Sequence, residues 1–189
     1  MKLSLKNTEY LIGDNNFKTT ASIPYNKKVC EFIFAFSKEL LNHRRSNEYP
    51  DLKTLGFWCR KQNILSLKKE FDSPKVRKGI GLVFHITPSN IPTNFAYSLL
   101  FGLLTGNSNI VKVPSKSFEQ VKIICSIIKK ILNKKLFLSL KNTITIIRYS
   151  NNDLFTKTLS LICDGRLIWG GDNSIKNIRE FKIKREKNV

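Results

Sequence analysis

The chain has 189 residues, with 33 Lys and Arg against 14 Asp and Glu for a net charge of +19, a length that suits one domain with a real core, or one domain and a small appendage. The basic residues are scattered singly or in pairs among Ile, Asn and Ser, the pattern of a lysine-rich bias, so nucleic acid is not the expected partner despite a pI near 10.0. Residues 1–16 lack the apolar core of a signal peptide, and the longest apolar run, residues 95–104, is far short of the roughly 20 residues a bilayer-spanning helix needs; a cytoplasmic protein without a membrane span is expected.

Residues 1–20 are polar, with Gly13-Asp14-Asn15-Asn16 as a turn, and predict an edge hairpin or a loose arm. In residues 26–42, Val29, Ile33, Phe36 and Leu40 recur at helical spacing with Phe32 filling the seam, which predicts a helix whose apolar face needs a partner. A second helix is expected from about Asp51, after Pro50, carrying Leu52, Leu55, Trp58 and Cys59; residues 65–71 continue it or form a third. Asp72-Ser73-Pro74-Lys75 reads as a link. Residues 1–75 are thus expected to be an N-terminal arm and helical segment, and residues 76–189 a sheet domain.

Residues 79–111 contain no Asp, Glu, Lys or Arg, although such residues make up 25% of the chain. The stretch opens with Leu82, Val83, Phe84 and Ile86, turns at Pro88-Ser89-Asn90, continues as an apolar helix over 95–104 and stops at Gly106-Asn107. A second apolar run follows over 110–113, completing the strand, helix, strand order of a βαβ unit covered on both faces. Polar residues kept inside so dry a stretch, chiefly Ser89 and Asn90, are the first candidates for function. Downstream, residues 117–133 predict an amphipathic helix with Val121, Ile124, Cys125, Ile128, Ile131 and Leu132 on one face and Lys122, Lys129 and Lys130 on the other. Residues 143–147 predict a third strand. Asn151-Asn152-Asp153 would cap a helix that turns Leu154, Phe155, Leu159 and Ile162 inward and closes at Gly165. Residues 167–169 form a fourth strand, Gly170-Gly171 stops it, and Asp172-Asn173-Ser174 offers caps for a last helix. This alternation predicts an α/β fold with a parallel sheet and right-handed crossovers.

Familiar chemistry is mostly absent. The four cysteines, Cys30, Cys59, Cys125 and Cys163, form no C-x-x-C pair and no metal-ligand spacing and read as free thiols in a reducing compartment. Gly79-Ile80-Gly81 stands before a strand rather than between strand and helix, so it fails the dinucleotide fingerprint, and no G-x-x-x-x-G-K-[ST] exists. Gly170-Gly171, where a strand yields to a helix, is either a pyrophosphate cradle or an ordinary turn. His85 beside the Pro88 turn reads as structural.

Three blocks in order carry a resemblance: Gly81 with Thr87-Pro88-Ser89-Asn90-Ile91-Pro92; Gly102 with Gly106-Asn107-Ser108-Asn109-Ile110-Val111-Lys112-Val113-Pro114-Ser115; and Ile168-Trp169-Gly170-Gly171-Asp172. Together they resemble the aldehyde dehydrogenase superfamily, and more narrowly the LuxC-type acyl-CoA reductases, the fatty acyl-CoA reductases of bacterial bioluminescence. The resemblance implies a Rossmann-like NADP-binding domain and reduction of an acyl-CoA or acyl thioester by NADPH to a fatty aldehyde, through a cysteine acyl intermediate.

It also implies roles. Asn90 is similar to the family's oxyanion donor, the catalytic position, although an Asn that merely ties down its own turn would look the same. Cofactor contacts fall on Thr87, Pro88 and Ser89, on Lys112, Pro114 and Ser115, and on Trp169, Gly170 and Gly171. Where NAD-using relatives carry a carboxylate this chain has Ser115; a carboxylate about 4 Å from a 2′-phosphate would repel it by several kcal/mol, so NADPH is expected over NADH, with Lys112 and Lys116 adding attraction. Ser115 as a cap of the following helix is equally compatible. Ile175 stands where ordinary aldehyde dehydrogenases place a second glycine. In the family a catalytic domain with its nucleophilic Cys follows the cofactor region, whereas this chain ends at Val189 and none of its cysteines falls at a matching position. It is therefore expected to be an incomplete reductase, inactive alone, completed by a separate catalytic domain or working beside an acyl-protein synthetase. A non-catalytic basic binding module, or a structural remnant on a degraded reductase fold, is the alternative.

Overall fold

Short runs of β-branched and long apolar side chains build the sheet of this protein, whose computed structural model describes residues 8–72, 74–150 and 153–183. Its five strands are β1 (Glu9–Ile12), β2 (Leu82–Ile86), β3 (Ser108–Lys112), β4 (Ile144–Arg148) and β5 (Gly165–Ile168). They lie in the order β1-β4-β3-β2-β5. All neighbours are parallel except β1, which pairs antiparallel with β4. The polar N-terminal stretch therefore supplies an edge strand paired with β4.

The helices are α1 (Lys27–Leu41), α2 (Pro50–Trp58), α3 (Lys61–Phe71), α4 (Asn94–Leu104), α5 (Glu119–Leu132), α6 (Asp153–Ile162) and α7 (Asp172–Arg179), with a 3-10 helix over Lys135–Thr143. Asn26 caps α1, its side chain accepting a hydrogen bond from the Lys28 amide at 2.9 Å. Pro50 opens α2, where a missing N–H removes no helical bond. The expected single or double helix over 51–71 is two, because the chain breaks at Cys59 and Arg60.

Chain order and strand order together make the sheet doubly wound. From β2 the chain crosses by α4 to β3 and by α5 to β4, then returns past β2 to β5. Phe32, Phe36, Leu99, Leu103, Ile124 and Ile128 fill the core on the side of α1, α4 and α5. Phe84, Ile110, Tyr149, Phe155 and Leu159 fill the opposite side under α6. Burying β2 on both sides is why its residues are apolar throughout except His85, and why residues 79–111 tolerate no charge.

Several expectations shift in detail. Leu154 is 73% exposed, because the inward stripe of α6 is Phe155, Thr156, Leu159 and Ser160, and Leu154 lies one position off it. Gly165 begins β5 rather than closing α6, and α5 starts at Glu119 with Phe118 at its cap position, so Ser115 does not cap it. α7 follows Gly171 with no side-chain cap bond, so Asp172-Asn173-Ser174 lies inside it. The proposed caps Asn151 and Asn152, and Ser73 of the link, lie outside the described residues.

Mid-helix glycine is unfavourable by about 1 kcal/mol relative to Ala, yet α4 carries Gly102 on its sheet face. A β-carbon there would stand 1.9 Å from Asn109 Oδ1 and 2.9 Å from His85 Cε1. Gly102→Ala is therefore expected to destabilise the protein by about 2 kcal/mol, an overpacking cost of about 3 outweighing the propensity gain. Urea denaturation measures it; an unchanged or raised midpoint would show that α4 does not sit this close to the sheet.

Candidate functional site

In an open parallel sheet, ligands collect beyond the carboxyl ends of the strands, at the point where the winding reverses. Here that point lies between β2 and β5. The register puts Ile147, Lys112, Ile86 and Ile168 in one row across β4, β3, β2 and β5, a row about 14 Å wide at ordinary strand spacing. The candidate residues lie in this row or just beyond it. Thr87, Pro88, Ser89 and Asn90 leave β2; Lys112 ends β3, with Pro114 and Ser115 just beyond; Trp169, Gly170 and Gly171 leave β5. The structure thus brings three blocks far apart in sequence to one sheet edge.

Hydrogen bonds hold the strand ends level. The Thr87 hydroxyl donates to the Lys112 carbonyl at 2.7 Å, and the Trp169 amide to the Ile86 carbonyl at 2.9 Å. The Val113 amide reaches the Ile147 carbonyl at 2.9 Å, and Arg148 Nε donates to the Pro114 carbonyl at 3.3 Å. Thr87 is buried and acts as a tie. Ser89, Asn90 and Ser115 are exposed, as are Gly170 and Gly171; Pro114 is buried and Pro88 half-buried. Asn90 lies in a bend four residues before α4, its amide open to solvent.

Lys112 is the electrostatic centre of this edge. Its Nζ stands 4.8 Å from the centre of the Tyr149 ring, and among the described residues no carboxylate pairs with it. Burial lowers its pKa below the ordinary lysine value. A half-buried ammonium held by a ring face keeps its donors available for an anion. Tyr149, buried and donating or accepting at Thr156 Oγ1 over 2.9 Å, is the residue that sequence reading missed. Its one signal was position, two residues after the third predicted strand.

The glycines after β5 fit a close ligand. A β-carbon at Gly171 would meet nothing within 4 Å, and at Gly170 only Ser174, no nearer than 3.4 Å. Packing inside the protein therefore does not require glycine at either place, and what glycine provides there is open backbone at the N-terminus of α7. Gly79 and Gly81 contrast: their β-carbons would stand 2.2 Å from the Gly106 carbonyl oxygen and 2.1 Å from Asp164 Oδ2, and Gly81 has φ +123°. That pair is structural, at the opposite edge of the sheet.

His85 is satisfied within the core. Asn109 donates from Nδ2 to the Asn107 carbonyl at 2.8 Å, which turns its Oδ1 toward His85 Nε2 at 2.9 Å. His85 therefore carries its proton on Nε2 and accepts from the Ser98 hydroxyl at Nδ1, 2.8 Å away. The thiols are equally enclosed. Cys30, Cys59, Cys125 and Cys163 are all buried, and burial raises every one, Cys125 to about 12 and Cys163 to about 11. Among the described residues no cluster suits a metal ion, and no helix is long and apolar enough to cross a membrane.

The family model of acyl-CoA reductase (LuxC) matches residues 28–189. No curated protein matches the chain. The chain belongs to the LuxC acyl-CoA reductase family, and its function is related to acyl-CoA reduction.

Burial lowers the His85 pKa from 6.5 to about 4. As pH falls, the unfolded chain takes up a proton that the folded chain refuses, so stability is full above the unfolded value and declines below it. Between about pH 7.5 and about pH 5 the expected loss is about 2 kcal/mol. Urea midpoints of the wild type and of His85→Gln across that interval check this; equal slopes would show that His85 protonates freely in the folded protein.

Proposed function

We propose that this member of the LuxC family is the cofactor-binding portion of an NADPH-dependent acyl-CoA reductase related to the aldehyde dehydrogenases, acting on acyl-CoA or another acyl thioester. In the full reaction, acyl-CoA, NADPH and a proton give fatty aldehyde, CoA and NADP. The observation that carries the reading is the convergence of the Asn90 loop, Lys112 and the open Gly170-Gly171 backbone on one sheet edge, at the winding reversal.

When bound, NADPH supplies the hydride. The residues of this chain bind and orient it. The Gly170 and Gly171 backbone at the start of α7 suits the pyrophosphate, and Lys112, lacking a carboxylate, suits the adenosine ribose and its phosphate. Ser115, exposed and not employed as a helix cap, leaves the 2′-phosphate free of a repelling carboxylate. Thr87, Pro88 and Ser89 shape the floor before Asn90, whose amide would donate to the thioester oxyanion; one such donor is worth about 3 kcal/mol in a transition state.

The nucleophile is a separate matter. A catalytic thiol must ionise near neutral pH, and all four thiols here are buried and pushed upward. On this reading the chain does not reduce acyl-CoA by itself; a complementing catalytic domain, or an acyl-protein synthetase that presents the acyl group, completes the reaction in the cytoplasm. Residues 76–189 form the NADP-binding unit, and residues 1–75 its arm and helical flank.

Isothermal titration tests the reading. NADPH is expected to bind in the micromolar range and NADH at least about tenfold more weakly, with Ser115→Glu reversing the order. Lys112→Met is expected to weaken NADPH by about 10- to 100-fold, the worth of a charge-assisted contact. No binding at millimolar cofactor would refute the assignment. Intact-protein mass spectrometry after incubation with long-chain acyl-CoA should show no acylated cysteine; an acyl adduct on any of the four would place the nucleophile in this chain.

A further inference from the structure

The hydrogen bonds of His85 extend to the candidate site. Trp169 Nε1 donates to Ser98 Oγ at 3.0 Å, Ser98 donates to His85 Nδ1 at 2.8 Å, and His85 Nε2 donates to Asn109 Oδ1 at 2.9 Å. Asn109 then donates to the Asn107 carbonyl at 2.8 Å, and Asn107 Oδ1 accepts from the Ile80 amide at 2.8 Å. An indole nitrogen can only donate and an amide oxygen can only accept, so every bond from Trp169 to Asn107 has a fixed direction. Ser98, His85 and Asn109 are fully buried, and each exchanges hydrogen bonds with its neighbours along the chain.

A polar chain is an expensive way to fill the space between a helix and a sheet, since three apolar residues would pack there without desolvation. It requires Gly102 as well, because any β-carbon would strike Asn109 Oδ1. What these bonds supply at their outer end is a tie on the Trp169 indole N–H. Trp169 is 39% exposed at the edge that carries Lys112 and Gly170, while its N–H is drawn inward to Ser98. An exposed strand-end Trp without such a tie would sample several rotamers.

We propose that Trp169 is a wall of the cofactor crevice, with an aromatic ring of the dinucleotide stacking on its indole, and that Ser98 and His85 are positioning residues that set the plane of that indole. This rests on the cofactor reading above. Ser98 and His85 touch no ligand; they act through Trp169. A flat, rigid face offers stacking with little ordering left to be done on binding.

The test uses the whole chain labelled with 5-fluorotryptophan, which gives one fluorine resonance for Trp58 and one for Trp169, assigned with Trp169→Phe. NADPH is expected to shift the Trp169 resonance and leave Trp58 unmoved. Ser98→Ala should broaden or shift the Trp169 resonance before ligand is added and weaken NADPH by about five- to tenfold, about the worth of one hydrogen bond. Trp169→Phe, which keeps a ring and loses the donor, should lose less affinity than Trp169→Ala. In the wild type the Trp169 indole N–H should exchange with solvent slowly despite the exposed ring, a measurement that needs no variant to fold. Free exchange, or a folded Ser98→Ala with an unchanged Trp169 resonance, overturns the positioning role. NADPH binding that is strong in the wild type and equal in Trp169→Ala overturns the wall but leaves the cofactor assignment standing; no binding by the wild type overturns both.

Discussion

The close approach of α4 to β2 and β3 is the constraint on which the rest of this architecture depends. Gly102 lets the helix backbone come within reach of Asn109, and the His85–Ser98 pair fills the remaining gap with directed hydrogen bonds. Helix and sheet are therefore held in one register rather than merely pressed together by apolar contact, which tolerates sliding. Apolar packing on both sides of β2 supplies the bulk of the stabilisation, through residues such as Phe84 below and Leu99 above. The polar chain supplies the specificity.

Level strand ends are the consequence that matters for chemistry. Thr87 tied to Lys112 and Trp169 tied to Ile86 place three connecting loops side by side at the winding reversal. Each loop then contributes something different: an exposed amide from the first, an ammonium that meets a ring and no carboxylate among the described residues from the second, and side-chain-free backbone from the third. No single block of sequence holds all three, and the strand order alone makes them neighbours.

Charge and thiol chemistry divide along the same lines. Most ion pairs are exposed or partly exposed, such as Lys122 with Glu119 and Lys130 with Glu39, and pairs of that kind contribute little to stability. Lys112 differs because it is half-buried and faces a ring instead of a carboxylate. The cysteines, by contrast, sit in the core as small apolar residues. Membership of the LuxC family, three candidate loops at one sheet edge and four buried thiols whose pKa burial raises are the combination from which a binding portion requiring a separate nucleophile is proposed.

Much of this fold was written in local pattern. The charge-free run over 79–111, the β-branched run over 143–147 and the glycine stops at Gly106 and Gly170 each depend on neighbours in sequence, so the alternation of strands and helices, the α/β class and the motif resemblance were all legible there. Position relative to distant residues was not. The antiparallel edge pairing of β1, and the places of Tyr149 under Lys112 and of Ser98 under Trp169, all follow from contacts across tens of residues. Periodicity reports which face of an element is apolar; only the packed sheet decides what stands opposite that face, and here it put a histidine, a serine and a tryptophan in line.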